Sequence, residues 1–191
     1  MHSALSTPTP APLKTTPALL LGPFYPVQQP VDASSELWRG AAVPLGTRRL
    51  QLSGRVVDTA GRALPAARVE LWHADPAGRY PHPAAPSPDE VVVRFVGYGS
   101  VLADADGRFG FGSVVPGAYA TAEARRAPHL HLQITTRAQR LVTQLFLPRH
   151  PANADDRWFN AARQPELLTA EALVDDPSTL HLTWTAVLML G

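Results

Sequence analysis

An all-β sandwich is the fold class that the sequence predicts, and three observations predict it. Apolar and polar residues alternate over several short runs, turn-forming residues separate those runs, and the 20 prolines and 13 glycines are spread through the body of the chain instead of forming a low-complexity block. Alternation puts successive side chains on opposite faces of a half-buried strand, and seven or more such runs with frequent turn signals make a sandwich. At 191 residues the chain suits one domain, large enough to bury a full core without staples.

Residues 1–21, with Thr7-Pro8-Thr9-Pro10-Ala11-Pro12, have no periodicity and read as a flexible tail, extended, mobile or draped over a neighbouring subunit. Residues 22–191 form the single domain, which opens on Gly22-Pro23-Phe24-Tyr25-Pro26, two aromatics among turn-formers. Leu50 to Val57 largely alternates, Asp58-Thr59-Ala60-Gly61-Arg62 is a turn, and Ala67 to Trp72 alternates again, which predicts a hairpin or near-hairpin. Val91 to Phe95 and Gly99 to Leu102 continue the strand signal, and Asp104-Ala105-Asp106-Gly107-Arg108 makes a hairpin turn into Phe109-Gly110-Phe111. Its Asp-x-Asp-Gly resembles part of a calcium loop, but the closing glutamate is missing. His129 to Thr135 and Leu141 to Leu147 are two more strands, Glu166 to Asp175 a short helix, and Leu180 to Leu188 a terminal strand.

Composition excludes much. With no cysteine there is no Cys-based zinc site, iron-sulfur cluster, thiol nucleophile or redox switch, so any metal must be held by His, Asp, Glu or Tyr. A net charge of +1, from 17 basic and 16 acidic residues, gives no electrostatic footprint for nucleic acid or an anionic membrane. Ala18-Leu19-Leu20-Leu21 is far too short to span a bilayer, and the expectation is a soluble, cytoplasmic protein.

Chemistry concentrates at Pro128-His129-Leu130-His131. Residues i and i+2 of a strand point the same way, so both imidazoles share one face, and histidine is the commonest protein metal ligand. Tyr80, Tyr119 and Arg126, three residues before His129, each sit in or beside a loop, where a rigid scaffold displays functional side chains. Taken singly, each tyrosine is more often a core-edge residue and the arginine a solvated charge.

Together these residues fit one family. The ordered set Gly54-Arg55-Val56-Val57-Asp58, Gly61-Arg62, Pro65, Val69-Glu70-Leu71-Trp72-His73-Ala74-Asp75, Gly78-Arg79-Tyr80, Asp106-Gly107, Pro116-Gly117-Ala118-Tyr119, Arg126-Ala127-Pro128-His129-Leu130-His131 and Thr143-Gln144-Leu145-Phe146 strongly resembles the intradiol ring-cleavage dioxygenases, most of all the protocatechuate 3,4-dioxygenase type. The resemblance runs from Gly22 to Phe146. It implies a transthyretin-like sandwich of mixed strands and one non-haem Fe(III) per chain, bound by Tyr80, Tyr119, His129 and His131. The physics agrees, because a free tyrosine titrates near pKa ~10 and needs a strong Lewis acid to ionise at neutral pH.

The implied reaction inserts both atoms of O2 into a catechol-type ring and yields a cis,cis-muconate. Tyr119 resembles the family's displaceable tyrosine and Arg126 its charge-stabilising arginine, with Gln144 their polar partner; Gly22, Pro23, Tyr25, Trp72 and Arg126 are the implied substrate contacts. Protocatechuate, giving 3-carboxy-cis,cis-muconate, ranks first among substrates, with Arg79, Arg125 or Arg149 as cations for its carboxylate, ahead of catechol, hydroxyquinol or another substituted catechol.

The chain departs from its relatives in the short, small-residued loop from Ala120 to Pro128, which implies a more open pocket, and in lacking helical periodicity before Leu50. A homo-oligomer, or a hetero-oligomer with a related chain, is expected, with the Gly22–Tyr25 arm a candidate to serve a neighbour's site. Two rivals come from other classes. A non-catalytic transthyretin-like binding module has no use for four metal-type residues in family order. A His-based zinc hydrolase needs a third His or carboxylate, and His73, His82 and His150 lack a ligand-like spacing.

Overall fold

Leu50, Leu52 and Val56 fall on one face of an alternating run and are all but inaccessible to solvent, which makes that run a strand with one face in the core. It is β1 (Arg49–Asp58), and it shares a sheet with β4 (Arg108–Val114), β9 (Glu171–Asp175) and β10 (Thr179–Leu188) in the order β4-β1-β10-β9. A second sheet holds β2 (Arg68–Trp72), β3 (Tyr98–Leu102), β7 (His129–Thr135) and β8 (Arg140–Phe146) in the order β3-β2-β7-β8. Leu52, Phe111 and Leu182 of the first sheet pack with Leu71, Leu130, Leu132 and Leu145 of the second in one buried cluster. Truncating one such leucine to alanine costs about 2–5 kcal/mol. A two-stranded ribbon, β5 (Tyr119–Ala120) with β6 (Arg125–Arg126), and one short helix, α1 (Arg157–Ala161), lie outside the sandwich. The computed structural model describes residues 11–189 except 32, 41, 42, 44, 89, 90, 92 and 93.

The all-β sandwich is as expected, but three local expectations are corrected. β1 and β2 do not form a hairpin. β1 pairs in parallel with β10 and antiparallel with β4, while β2 lies between β3 and β7. After the Asp58–Arg62 turn the chain makes one bridge, Val57 to Ala63, and then crosses to the other sheet with Ala66 at φ 57°. Asp104–Arg108 likewise joins strands of different sheets, although its backbone closes as a tight turn through Asp104 N to Arg108 O at 2.9 Å. Glu166–Asp175 is not a helix. Pro165–Leu168 makes a short 3-10 turn and Glu171–Asp175 becomes β9, because hydrogen bonding to the edge of β10 outweighs local helix preference. The strand expected over 91–95 falls partly on residues 92 and 93, outside the described set, and its last residue, Phe95, bridges Trp38.

The tail expected over 1–21 includes residues 1–10, which also lie outside the described set. From residue 11 the chain runs along its own sheets, with Leu13 N bonded to Thr59 O, Thr16 N to Val187 O and Leu19 N to Val142 O. Among the described residues no helix is long and apolar enough to cross a membrane.

One turn is built three times, at Asp58–Arg62, Asp75–Arg79 and Asp104–Arg108. Each reads Asp-x-x-Gly-Arg, and in each the aspartate Oδ1 accepts from the backbone nitrogens two and four residues on. Glycine is needed fourth, where φ is 78°, 80° and 73° respectively.

Candidate metal centre

β7 is an interior strand of the second sheet. Its Leu130, Leu132 and Ile134 enter the core, so its period of two turns His129 and His131 to the sheet's outer face. Register fixes their neighbours: Trp72 and Gln144 lie opposite His131 on either side, and Phe146 lies opposite His129. The Trp72 indole stacks on His131 with centroids 5.0 Å apart and planes 12° from parallel, and Phe146 sits 5.5 Å from His129. The two Nε2 atoms are 3.1 Å apart. His129 Nδ1 donates to the Ala127 carbonyl at 2.6 Å, so its Nε2 carries the bare lone pair.

The tyrosines arrive on loops that lock together. In the Asp75–Arg79 turn the buried carboxylate also accepts from Arg79 Nε at 3.0 Å, and Tyr80 follows directly. Gly117 N donates to Asp75 O at 2.9 Å, which docks the segment before Tyr119 onto that turn. The fit is close, since a Cβ on Gly78 would collide with the Ala118 carbonyl oxygen and one on Gly117 with the Pro76 carbonyl oxygen. Tyr80 and Tyr119 consequently meet edge to face, 5.5 Å between centroids, with Tyr80 6.4 Å from His131 and Tyr119 5.7 Å from His129. The Tyr80 hydroxyl is buried without a hydrogen-bond partner among the described residues, and such a group costs about 1–3 kcal/mol.

Burial keeps all four groups neutral when no cation is present. It lowers His129 to about 3, with Arg126 adding to the effect, and holds His131 well below its ordinary value, helped by His129. It also raises the Tyr80 phenol well above its usual range and the Tyr119 phenol less far, because Arg126 acts against it there. Two imidazole nitrogens that meet only each other, and a phenol with no partner among the described residues, are a donor set suited to a cation. At a separation of 3.1 Å both nitrogens reach one ion at ordinary bond lengths of about 2.1 Å. Hard phenolate oxygens suit a trivalent ion that forces out their protons. Among the described residues no group of three or more His, Cys, Asp or Glu is placed to hold a metal, so a His-carboxylate zinc site finds no support. His73 is committed to the Ala74 carbonyl and Ser113, and His150 accepts from Ala152 N.

Arg126 sits opposite Tyr119 in the β5–β6 ribbon, its guanidinium carbon 6.0 Å from that ring. It donates to Gln144 Oε1 at 2.5 Å, and Gln144 Nε2 donates to Leu20 O at 3.0 Å, so the expected polar partner is in place. The arm lies against His131 and Tyr80 of its own chain: a Cβ on Gly22 would come 2.9 Å from His131 Cε1, and the Phe24 ring lies 4.6 Å from that of Tyr80, tilted by 31°. A cavity of about 460 Å³ opens beside the two tyrosines, with Pro23, Phe24, Gly78, Arg79, Ala85 and Ala120 among its lining. Trp72 and Tyr25, expected as substrate contacts, do not line it. Trp72 is buried behind His131, and Tyr25 lies edge-on to Trp72 with its hydroxyl on Glu70 at 2.9 Å.

Sequence reasoning missed several residues. Phe24 was passed over for its neighbours. Asp75 had a signal in the recurring Asp-x-x-Gly-Arg. Asp156 had one in the capping pattern before Trp158 and Phe159. Glu70, which gathers Tyr25, Gln29, Tyr98 and Gln133 beneath the arm, shows in sequence only as an acid within an alternating strand. Burial works against its charge, but bonds from Tyr98, Gln133 and Tyr25 hold its carboxyl below the ordinary value.

Comparison with known proteins gives a consistent picture. A family profile described as Dioxygenase matches residues 20–189. The protocatechuate 3,4-dioxygenase beta chain of Burkholderia cepacia is 36% identical over 121 residues, covering 61% of this chain and 51% of its own. A catechol 1,2-dioxygenase of Pseudomonas sp. (strain EST1001) is 29% identical over 164 residues, covering 78% and 52%. The chain thus spans about half the length of both relatives. The dioxygenase domain of a carbohydrate-binding fusion protein from Streptomyces sp. SirexAA-E shares the fold at a TM-score of 0.73, with 24% identity over 93% of this chain and 100% of that one.

Proposed function

The chain belongs to the intradiol ring-cleavage dioxygenase family, and from that premise we propose that it cleaves a catechol-type ring between its two hydroxylated carbons, adding both atoms of O2 to give a cis,cis-muconate. Tyr80, Tyr119, His129 and His131 would hold one Fe(III) per chain. The observation that carries this reading is the convergence of two neutral imidazoles, their Nε2 atoms 3.1 Å apart, beside a buried phenol with no hydrogen-bond partner among the described residues. Bound there, ferric iron supplies the Lewis acidity that ionises the phenols and activates the dihydroxylated ring toward O2.

The chain's own residues do the rest. Tyr119 is the less buried of the two phenols and lies nearer Arg126, so it is the one suited to take up a substrate hydroxyl proton. Tyr80, packed under Phe24, stays in place. Arg126 sets a fixed positive charge where negative charge develops on the ring, and a preorganised donor of this kind is worth ~3–4 kcal/mol. Gln144 holds that guanidinium from the β8 side. Gly22, Pro23 and Phe24 cover the centre and keep water off it.

For the substituent on the ring, protocatechuate remains the first reading, with Arg79 in the cavity wall as the partner for its carboxylate. A second reading, catechol or an apolar catechol, is favoured by the Arg79–Asp75 ion pair at 2.9 Å and by walls in which Arg79 is the one charged residue among the described lining. Purified protein is expected to contain about one iron per chain, with a visible tyrosinate charge-transfer band that shifts when an anaerobic catechol is added. A colourless protein that stays iron-free after reconstitution defeats the proposal. Steady-state kcat/KM on protocatechuate against catechol decides between the two substrates.

A further inference from the structure

Resting on that reading, we infer that Asp156 is a positioning residue that aims Arg126 at the centre. Its carboxylate is wholly buried and saturated. Oδ2 accepts from Arg126 Nε at 2.9 Å and from Ala127 N at 2.9 Å, and Oδ1 accepts from Trp158 N at 3.0 Å and Phe159 N at 3.1 Å. One side chain therefore ties together β6, the link from β6 to His129, and the start of α1. The last tie matters because α1 carries Trp158, whose ring lies 4.3 Å from the Arg126 guanidinium carbon. With Gln144 on Nη2, the guanidinium is fixed by a carboxylate on one edge, an amide on another and an indole across its face.

Charge alone does not explain the carboxylate. It offsets the positive charge that Arg126 brings, so a purely electrostatic helper is stronger without it. What Asp156 adds is direction, and a displacement of about 1 Å in a catalytic group costs on the order of 10²-fold in rate. Asp156 also spans the two parts of the centre, since Ala127 N, which it holds, belongs to the residue whose carbonyl orients His129.

Asn and Ser cap a helix as well as Asp does, so Asp156→Asn and Asp156→Ser keep α1 capped while removing the anchor on Arg126. Both are expected to lower kcat on catechol by about tenfold or more, leaving iron content, the charge-transfer band and anaerobic catechol affinity within about twofold of the parent. In a double-mutant cycle, Arg126→Ala with Asp156→Asn is expected to be no slower than Arg126→Ala alone. Parental kcat in both single variants overturns the inference, as does loss of iron in both, or an equal further loss of rate in the Arg126→Ala background. If neither single variant folds, the double variant, which leaves no charge unpaired in the interior, takes their place: a rate equal to Arg126→Ala supports the inference, and a slower rate or an unfolded chain overturns it. A parent protein that holds no iron and turns over no catechol defeats the functional reading instead. Thermal unfolding of the metal-free variants still reports whether Asp156 and Arg126 are coupled.

Discussion

The turns at Asp58–Arg62 and Asp75–Arg79 have the same five-residue grammar and almost the same backbone, with glycine φ of 78° and 80°, yet only the second bears on the centre. The difference lies in what each turn touches. Around Gly61 there is open space, the nearest atom to an added Cβ being Leu13 Cδ1 at 3.9 Å, whereas Gly78 abuts Ala118 and Tyr119. Arg62 is 78% exposed and Arg79 28%. The residue two before the aspartate is Val56 in the first turn and the buried His73 in the second. A stable local motif thus serves as a bracket, and the candidate site arises where a second loop packs against one copy.

Gly78→Ala and Gly61→Ala break the comparison most sharply. Both pay the left-handed backbone cost of about 1–2 kcal/mol, but only Gly78→Ala drives a methyl into the Ala118 carbonyl. It is expected to abolish iron binding and the charge-transfer band, while Gly61→Ala keeps both; iron analysis with absorption spectroscopy checks this. Next in size is Asp75→Ala, which removes a buried acceptor from Arg79 and from two backbone N–H groups at a loss of about 3–5 kcal/mol in thermal unfolding. Asp58→Ala, whose arginine reaches water, is expected to lose less.

Iron loading sharpens the contrast without mutation. Amide exchange is expected to slow about tenfold or more at residues 75–80 and 117–119 and to stay unchanged at 58–62, because a ligand stabilises only the segments it ties together. The smallest effect is one of pH. Burial lowers His73 to about 4 from an ordinary 6.5, so its neutral form is favoured in the fold. The unfolded chain binds the extra proton first, and the stability His73 contributes is complete above about 6.5 and is lost as pH falls toward 4. The metal-free protein should therefore melt at lower temperature across that window, with His129 and His131, also lowered by burial, adding to the slope, and His73→Asn should remove only the share that His73 contributes.

Alternation made most of the strands legible, since Leu50, Leu52, Leu130 and Leu132 advertise their faces. Pairing was hidden, because the partner of β1 is β10, far along the chain, and no local pattern encodes that choice. Glu166–Asp175 misled for the same reason: an edge contact with β10, not propensity, decides its backbone. At the centre, His129 and His131 were plain because their spacing is the strand period. Tyr80, Tyr119 and Gln144 emerged only through resemblance to a family. Asp156 and Glu70 stayed out of sight because their partners are gathered by folding from separate strands and loops.

The parallel pairing of β1 with β10 carries a consequence for synthesis. The four strands of the sheet bearing the histidines have all been made by Phe146, so their pairing can close while the chain is still being made. β1, made long before, must wait for Thr179–Leu188 with one edge open. The sheet that does not carry the two histidines is the last to assemble, and a nascent chain stalled between those two points would present an unfilled strand position to its neighbours on the same message.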